Sequence, residues 1–442
     1  MKTKSGFSIL LLLLSVSCFV MVGCTSTLDL SQVVGTYRKG YFDGAIRAYE
    51  SRKQEIVSTQ GRIVFDLDYG MLSMMAGDYS TSNTYFTEAE NLISASYTQS
   101  IMQNIGSYLL NDNTVEYAGE DYEDIYTNIV KSLNYHNLGL TEDAMVELRR
   151  SAEKQSLMQS RYDEQWSKVK NYADSNGYDV NVRHYDYGFS ISALSNYLMM
   201  VFSRSMNDFN SFQFASKQIR LAFETQGGIY NFNFPSFLEE ERFDMPKGLA
   251  RLNLVAFSGL APVKEQATEF IDMPNGDIGK LSYPVMTVRP SNVRSVKFLV
   301  DGKMQTEMDL LENIDRIVFD TFRPRQELAI SKTIMRNYVK NFATQVYDAA
   351  AADKKADKNA SSLWTVLGLI TRVTNVISEQ ADVRSSHFFP SKAWGTGIDV
   401  ALGLHSVSIQ FCSYNGNVLF QKDTDIEVKE GQTNLVDAFC PI

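Results

Sequence analysis

Gly70-Met71-Leu72-Ser73-Met74-Met75-Ala76-Gly77-Asp78-Tyr79, continued by Ser82, Phe86 and Ala89, is the stretch whose reading decides the fold. Apolar residues recur at spacings of three and four on both sides of Gly77-Asp78-Tyr79, which predicts helix, tight turn, helix. Gly70 falls inside the first of these helices, where the missing Cβ lets a second helix come close. The arrangement returns at Gly40-Tyr41-Phe42 leading to Ala45 and Tyr49, and at Gly139-Leu140-Thr141 leading to Ala144 and Leu148. A further turn is expected at Asn207-Asp208-Phe209, where Phe212 and Ser216 follow in place of Ala and an aromatic.

These segments resemble the tetratricopeptide repeat, whose period is about 34 residues. Gly40 and Gly77 lie somewhat further apart than that, so the copies are divergent, and a helical bundle without true repeats is the alternative. The resemblance implies a concave face lined by the first helix of each pair. Alignment on Gly77, Gly139 and Phe209 places Leu67, Met71 and Met74, then Tyr126 and His136, then Tyr197 and Arg204 along it. Such a face would take a protein partner, since methionines adapt to irregular surfaces and Tyr and Arg are enriched at interface hot spots. The competing expectation is that these side chains pack between neighbouring helices.

Ahead of the helices, Lys2 and Lys4 precede an almost unbroken apolar run from Phe7 to Val22, and Gly23-Cys24 follows. That is the pattern of a secretory signal, and the run is short for the roughly 20 residues that span a bilayer. Met21-Val22-Gly23-Cys24 resembles the lipobox of bacterial lipoproteins, with Met21 where leucine is usual. The resemblance implies removal of residues 1–23 and lipidation of Cys24, against simple cleavage or an uncleaved anchor. Several acyl chains at about 0.8 kcal/mol per buried methylene would hold the protein stably on a membrane. Thr25 after the cysteine resembles lipoproteins sent outward, which implies the outer membrane, facing the periplasm.

A chain 44% apolar and 21% charged can build a globular core. Its formal charge of −10 argues against nucleic acid, which needs clustered Lys and Arg. Cys18 and Cys24 belong to the signal and its processing, leaving Cys412 and Cys440 in the body. In an exported protein that remainder makes them a disulfide candidate, with free buried thiols as the alternative.

Past about residue 224 the character changes. Residues 225–248, with the aromatic cluster Tyr230, Phe232, Phe234 and Phe237 and with Pro235 and Pro246 breaking helical periodicity, read as a hinge whose aromatics seal an interface or stack on a glycan. Strands are expected at Leu252–Phe257, Pro284–Arg289, Val293–Val300, Ile317–Phe319, Gly403–Cys412, Val418–Gln421 and Asn434–Val436, with Asp301-Gly302 and Asn415-Gly416 as hairpin turns. Two helices, Gln326–Ala351 and Ser362–Ile377, interrupt them around a linker at Ala350–Ser361. The expected fold class is α + β in separate domains: a repeat-like helical domain over residues 24–224, the hinge, and a β-rich, sandwich-like domain over 249–442 with a helical insertion at about 326–378.

Gly259-Leu260-Ala261-Pro262-Val263-Lys264, Ile330-Ser331-Lys332-Thr333-Ile334-Met335-Arg336 and Ala381-Asp382-Val383-Arg384-Ser385 together resemble an uncharacterised family of bacterial lipoproteins that carry tetratricopeptide repeats. The resemblance concentrates on Asp382 and Arg384, which implies a paired structural or docking role for them. Motifs for chemistry are lacking: His136, His184, His387 and His405 are scattered, there is no HExxH or CxxC, and Ser258-Gly259 lacks the flanking glycine of a nucleophile elbow. The acidic run Glu120-Asp121-Tyr122-Glu123-Asp124 reads as a solvated helix face. The sequence therefore predicts a non-enzymatic, lipid-anchored scaffold or adaptor of the bacterial envelope, without cofactor or metal, assisting peptidoglycan or envelope assembly by analogy. Its rivals are a glycan-binding lipoprotein using Tyr230 and Phe232, and an envelope hydrolase.

Overall fold

The computed structural model describes residues 28–102, 116–178, 180–272, 278–352 and 380–442. The signal, Cys24 and the expected helix Ser362–Ile377 lie outside the described residues.

Helices fill the N-terminal half: α1 (Ser31–Arg38), α2 (Phe42–Glu50), α3 (Lys53–Gln60), α4 (Arg62–Met75), α5 (Tyr79–Met102), α6 (Asp121–Asn137), α7 (Thr141–Ser175), α8 (Ala193–Ser205) and α9 (Phe209–Thr225). Each turn expected from the sequence joins a helical hairpin, and the four share one geometry. Gly40, Gly77, Gly139 and Asn207 have φ of 76°, 81°, 76° and 55°, the left-handed conformation that glycine adopts freely and asparagine tolerates. The next amide bonds back to the helix, as in Asp78 N–H to Ser73 O at 2.9 Å and Asp208 N–H to Ser203 O at 2.9 Å, which satisfies carbonyls the helix end leaves open. A Cβ on Gly70 would stand 2.9 Å from the Phe86 ring, so the close approach of α4 and α5 does require glycine there.

Strands follow: β1 (Leu249–Ser258), β2 (Val263–Asp272), β3 (Ile278–Thr287), β4 (Ser295–Val300), β5 (Lys303–Glu307), β6 (Asp309–Asn313), then the long helix α10 (Ile314–Ala352), and β7 (Lys392–Ala401), β8 (Gly403–Cys412), β9 (Val418–Val428) and β10 (Leu435–Phe439). One sheet has the order β10-β1-β7-β6, another β5-β4-β8-β9, and β2-β3 form a separate hairpin. The Asp301-Gly302 turn is as expected, with φ of 52° and 72° as a two-residue hairpin of the primed type requires.

Ala250, Leu252, Leu254 and Ala256 of β1 pack with Val296 and Phe298 of β4 and Ile409 and Phe411 of β8, which fills the space between the two four-stranded sheets. The alternate residues Val255 and Phe257 belong to a different core, continuous with Tyr49, Phe65, Tyr126 and Phe202 of the helices. Because side chains alternate along a strand, β1 serves both cores at once. The two halves therefore share a core along β1.

Two expectations are corrected here. Ile317–Phe319 is helix, not strand: α10 starts at Ile314, and Ile314, Ile317, Val318 and Thr321 bury one face at helical spacing. Strand β7, not expected from the sequence, carries Gly395 in its interior, because Phe237 and Leu311 fill the place of a side chain. Cys412 and Cys440 are free, buried thiols at the ends of β8 and β10, which lie in different sheets. Burial pushes the Cys440 thiol up to about 12. The hinge aromatics act as an interface seal: Phe223 packs on Tyr230, Phe232 and Phe234 at 4.7, 5.4 and 5.1 Å between ring centroids.

Candidate functional site

Of the residues expected along a concave helical face, Tyr126, His136, Tyr197 and Arg204 bond to the chain's own β half, and Leu67, Met71 and Met74 belong to the core continuous with it. Leu67, Met71, Met74, Tyr126 and Tyr197 are buried. The Tyr126 hydroxyl donates to Glu312. Tyr197 OH donates to Thr396 O at 2.9 Å and accepts from Asn253 Nδ2 at 3.1 Å. His136 Nε2 lies 3.0 Å from Leu435 O. Arg204 donates to Asn253 Oδ1 at 2.9 Å and pairs with Glu241. The expected open groove for a partner is therefore corrected to a filled one, because the helix-facing side of β1 and its neighbours supplies the apolar and hydrogen-bonding complement.

Residues 381–391 complete the filling. Ser386 N–H donates to Glu123 Oε1 at 2.7 Å, and His387 N–H donates to Asp68 Oδ1 at 2.6 Å. The His387 ring meets the other oxygen of Asp68 at 2.8 Å, and that oxygen also accepts from Tyr49 OH at 2.9 Å. Phe388 then packs on Tyr37 and Tyr49, and Phe389 on Phe86 and Tyr122. An irregular segment needs partners for its backbone when buried, and helical carboxylates provide them. The acidic run 120–124 is thus corrected from a solvated face: Glu120 and Glu123 form a capping box at the start of α6, and both are buried with Asp124. Burial and the charge of Glu120 push the Glu123 carboxyl above its ordinary value.

Beside the filled groove lies a recess of about 250 Å³, where α6, α7, α10, β2 and the start of the 381–391 segment meet. Three close ion pairs, among others, line it. Lys264 Nζ lies 2.7 Å from Glu120 Oε1. Arg325 grips Asp121 through Nε and Nη2 at 2.9 and 2.6 Å and donates to Gly119 O at 2.7 Å. Arg384 grips Asp382 through Nε and Nη2, each at 2.8 Å, so the expected pair forms and stands in the wall. Lys264 and Arg384 also lie 4.8 and 5.4 Å from the Tyr117 ring centroid, a cation–π arrangement. Burial pushes the Asp382 carboxyl up, but Lys264 and Arg384 outweigh it and hold the group below its ordinary value.

One wall is a single face of α7, where Met158, Arg161, Tyr162 and Gln165 follow at helical spacing. Arg161 lies over the Tyr97 ring at 4.7 Å and 3.8 Å from Asp124 Oδ2, too far for a hydrogen bond. None of the four histidines lines the recess. Among the described residues no group of three or more His, Cys, Asp and Glu is placed to hold a metal, and no helix is long and apolar enough to cross a membrane. Sequence reading found Asp382 and Arg384 but missed Glu120, Lys264 and Arg325, which are distant in the chain and of which only Lys264 falls in a segment carrying the resemblance.

Comparison with protein-family models, with curated proteins and with solved structures finds no match.

Proposed function

We propose that this chain is a non-enzymatic binding protein of the bacterial envelope, a tetratricopeptide-like helical scaffold tethered by lipid at Cys24, whose ligand enters the recess between α6, α7, α10 and β2. The observation that carries this reading is the contrast at the seam. The helical face that would hold a protein partner is already occupied by the chain's own residues, while the adjoining recess presents paired charges, aromatic walls and an exposed rim at Glu116 and Ala118. Binding sites of this kind combine apolar walls with a few convergent polar groups. The adaptor role expected from the sequence would then belong to the outer helical surface, where Phe209, Phe214 and Leu221 are exposed.

Photo-crosslinking in intact cells separates the two. A crosslinking residue at Ala118 should capture small envelope components, and one at Phe214 should capture little. Protein adducts from Phe214 alone would return the function to an adaptor. Cys24→Ala should leave the protein unprocessed or released from membranes, and normal lipid labelling of that variant would remove the tether from the proposal.

A further inference from the structure

Resting on the binding reading above, we propose that the recess takes one uncharged sugar unit of a glycan. Charge is the first argument. Five acidic and five basic side chains line the recess, and the three principal cations are each locked to a carboxylate. A charged ligand that drew Lys264, Arg325 or Arg384 from its partner would leave the other charge uncompensated, and against the balanced set of charges it gains little otherwise. Hydroxyl groups need not do so, because each both donates and accepts and can use the lone pairs and N–H groups left over by the pairs.

Those leftovers are present. Among the described residues Arg325 uses three of its five N–H groups, on Asp121 and on Gly119 O. Tyr187 OH shares Asp121 Oδ2 with Arg325, and the Arg384 amide shares Asp382 Oδ1 with its own side chain, which among the described residues leaves Asp121 Oδ1 and Asp382 Oδ2 each with one acceptor position for a hydroxyl. Gln165, one helical turn beyond Arg161, adds a donor and an acceptor from the same wall. The half-buried rings of Tyr97 and Tyr187 offer apolar surface for the C–H faces of a sugar. At about 250 Å³ the space falls below the roughly 300–1,000 Å³ of drug-sized sites, which limits it to one ring with the remaining chain passing over the exposed rim. The hinge aromatics are engaged in packing, since Tyr230 is buried and Phe232 packs on Phe223.

Calorimetric titration of the full chain in detergent tests this, using N-acetylglucosamine, glucose and galactose, with glycine betaine as a zwitterion and citrate as an anion. At least one sugar should bind, betaine and citrate should not, and Gln165→Leu and Arg161→Ala should each weaken the sugar about tenfold with an unchanged melting temperature. Binding of betaine or citrate without any sugar, lost in the same variants, would overturn the sugar assignment and leave the recess as the binding site. Binding unaffected by either variant, or no binding of any probe, would overturn both readings.

Discussion

Glu312 and Glu120 are both buried carboxylates in the seam between helices and sheets, and they are stabilised in opposite ways. Glu312 accepts from Tyr230 OH at 2.7 Å, Ser192 Oγ at 2.9 Å, Leu194 N at 3.2 Å and from Tyr126, at the first turn of α8. Neutral donors and the positive end of a helix dipole surround it. Burial still pushes its carboxyl above the ordinary value, with Tyr126 and Tyr230 opposing. Glu120 is answered by the ammonium of Lys264, in a wall that borders open space. The difference teaches that one part of the seam is closed by a buried network of neutral donors, whereas the other is held by ion pairs that border open space.

Removing the closed network should have the largest effect. Glu312→Leu would leave the Tyr126 and Ser192 hydroxyls and the Leu194 amide buried without an acceptor, with only Ile191 O remaining for Tyr230 OH, at a cost of about 3 kcal/mol or more in equilibrium denaturation. Lys264→Met should cost less, about 1–3 kcal/mol, because Arg325 lies 3.9 Å from the stranded Glu120 and the recess admits water. If Lys264→Met were the more damaging of the two, the contrast between a closed and an open part of the seam would break.

Acid and base limbs of the stability profile sharpen the same comparison. Within the helices, burial pushes Glu90 up, but Lys154 and Lys131 outweigh it and hold the carboxyl at about 2. A lowered folded pKa contributes stability present above the unfolded value of 4.5 and lost as pH falls towards 2. Glu90→Gln should therefore flatten the acid limb, by on the order of 2 kcal/mol across that window. For Glu312 the sign reverses. Its raised pKa favours the folded state below the unfolded value, and that contribution is lost as pH rises through the folded one, so Glu312→Gln should flatten the opposite limb. The smallest effect belongs to Tyr197→Phe, which removes the hydroxyl from Thr396 O and Asn253 and should cost about 1 kcal/mol.

Much of this architecture could be read from the residues, and the misreadings have a common cause. The helical hairpins were legible because a left-handed residue at each turn is a local requirement, visible at Gly40, Gly77, Gly139 and Asn207. The helical positions of Leu67, Tyr126 and Tyr197 were legible for the same local reason. What covers them was not, since Glu312, Leu435 and residues 386–389 are far away in the chain. A run such as Glu120–Asp124 looks the same whether it faces water or caps a buried helix, and only the distant Lys264 and Ser386 decide between them. Asp66 and Asp68 did carry a signal, as acids between Phe65, Leu67 and Tyr69, where a solvated position was not available.

Amide hydrogen exchange over residues 381–391 tests the central claim most directly. If the helical groove is filled by this segment, the Ser386 and His387 amides should exchange only by opening close to global unfolding, far more slowly than the exposed Ala118 at the rim of the recess. Exchange at Ser386 and His387 as fast as at Ala118 would mean that the groove stands open, and would contradict the account.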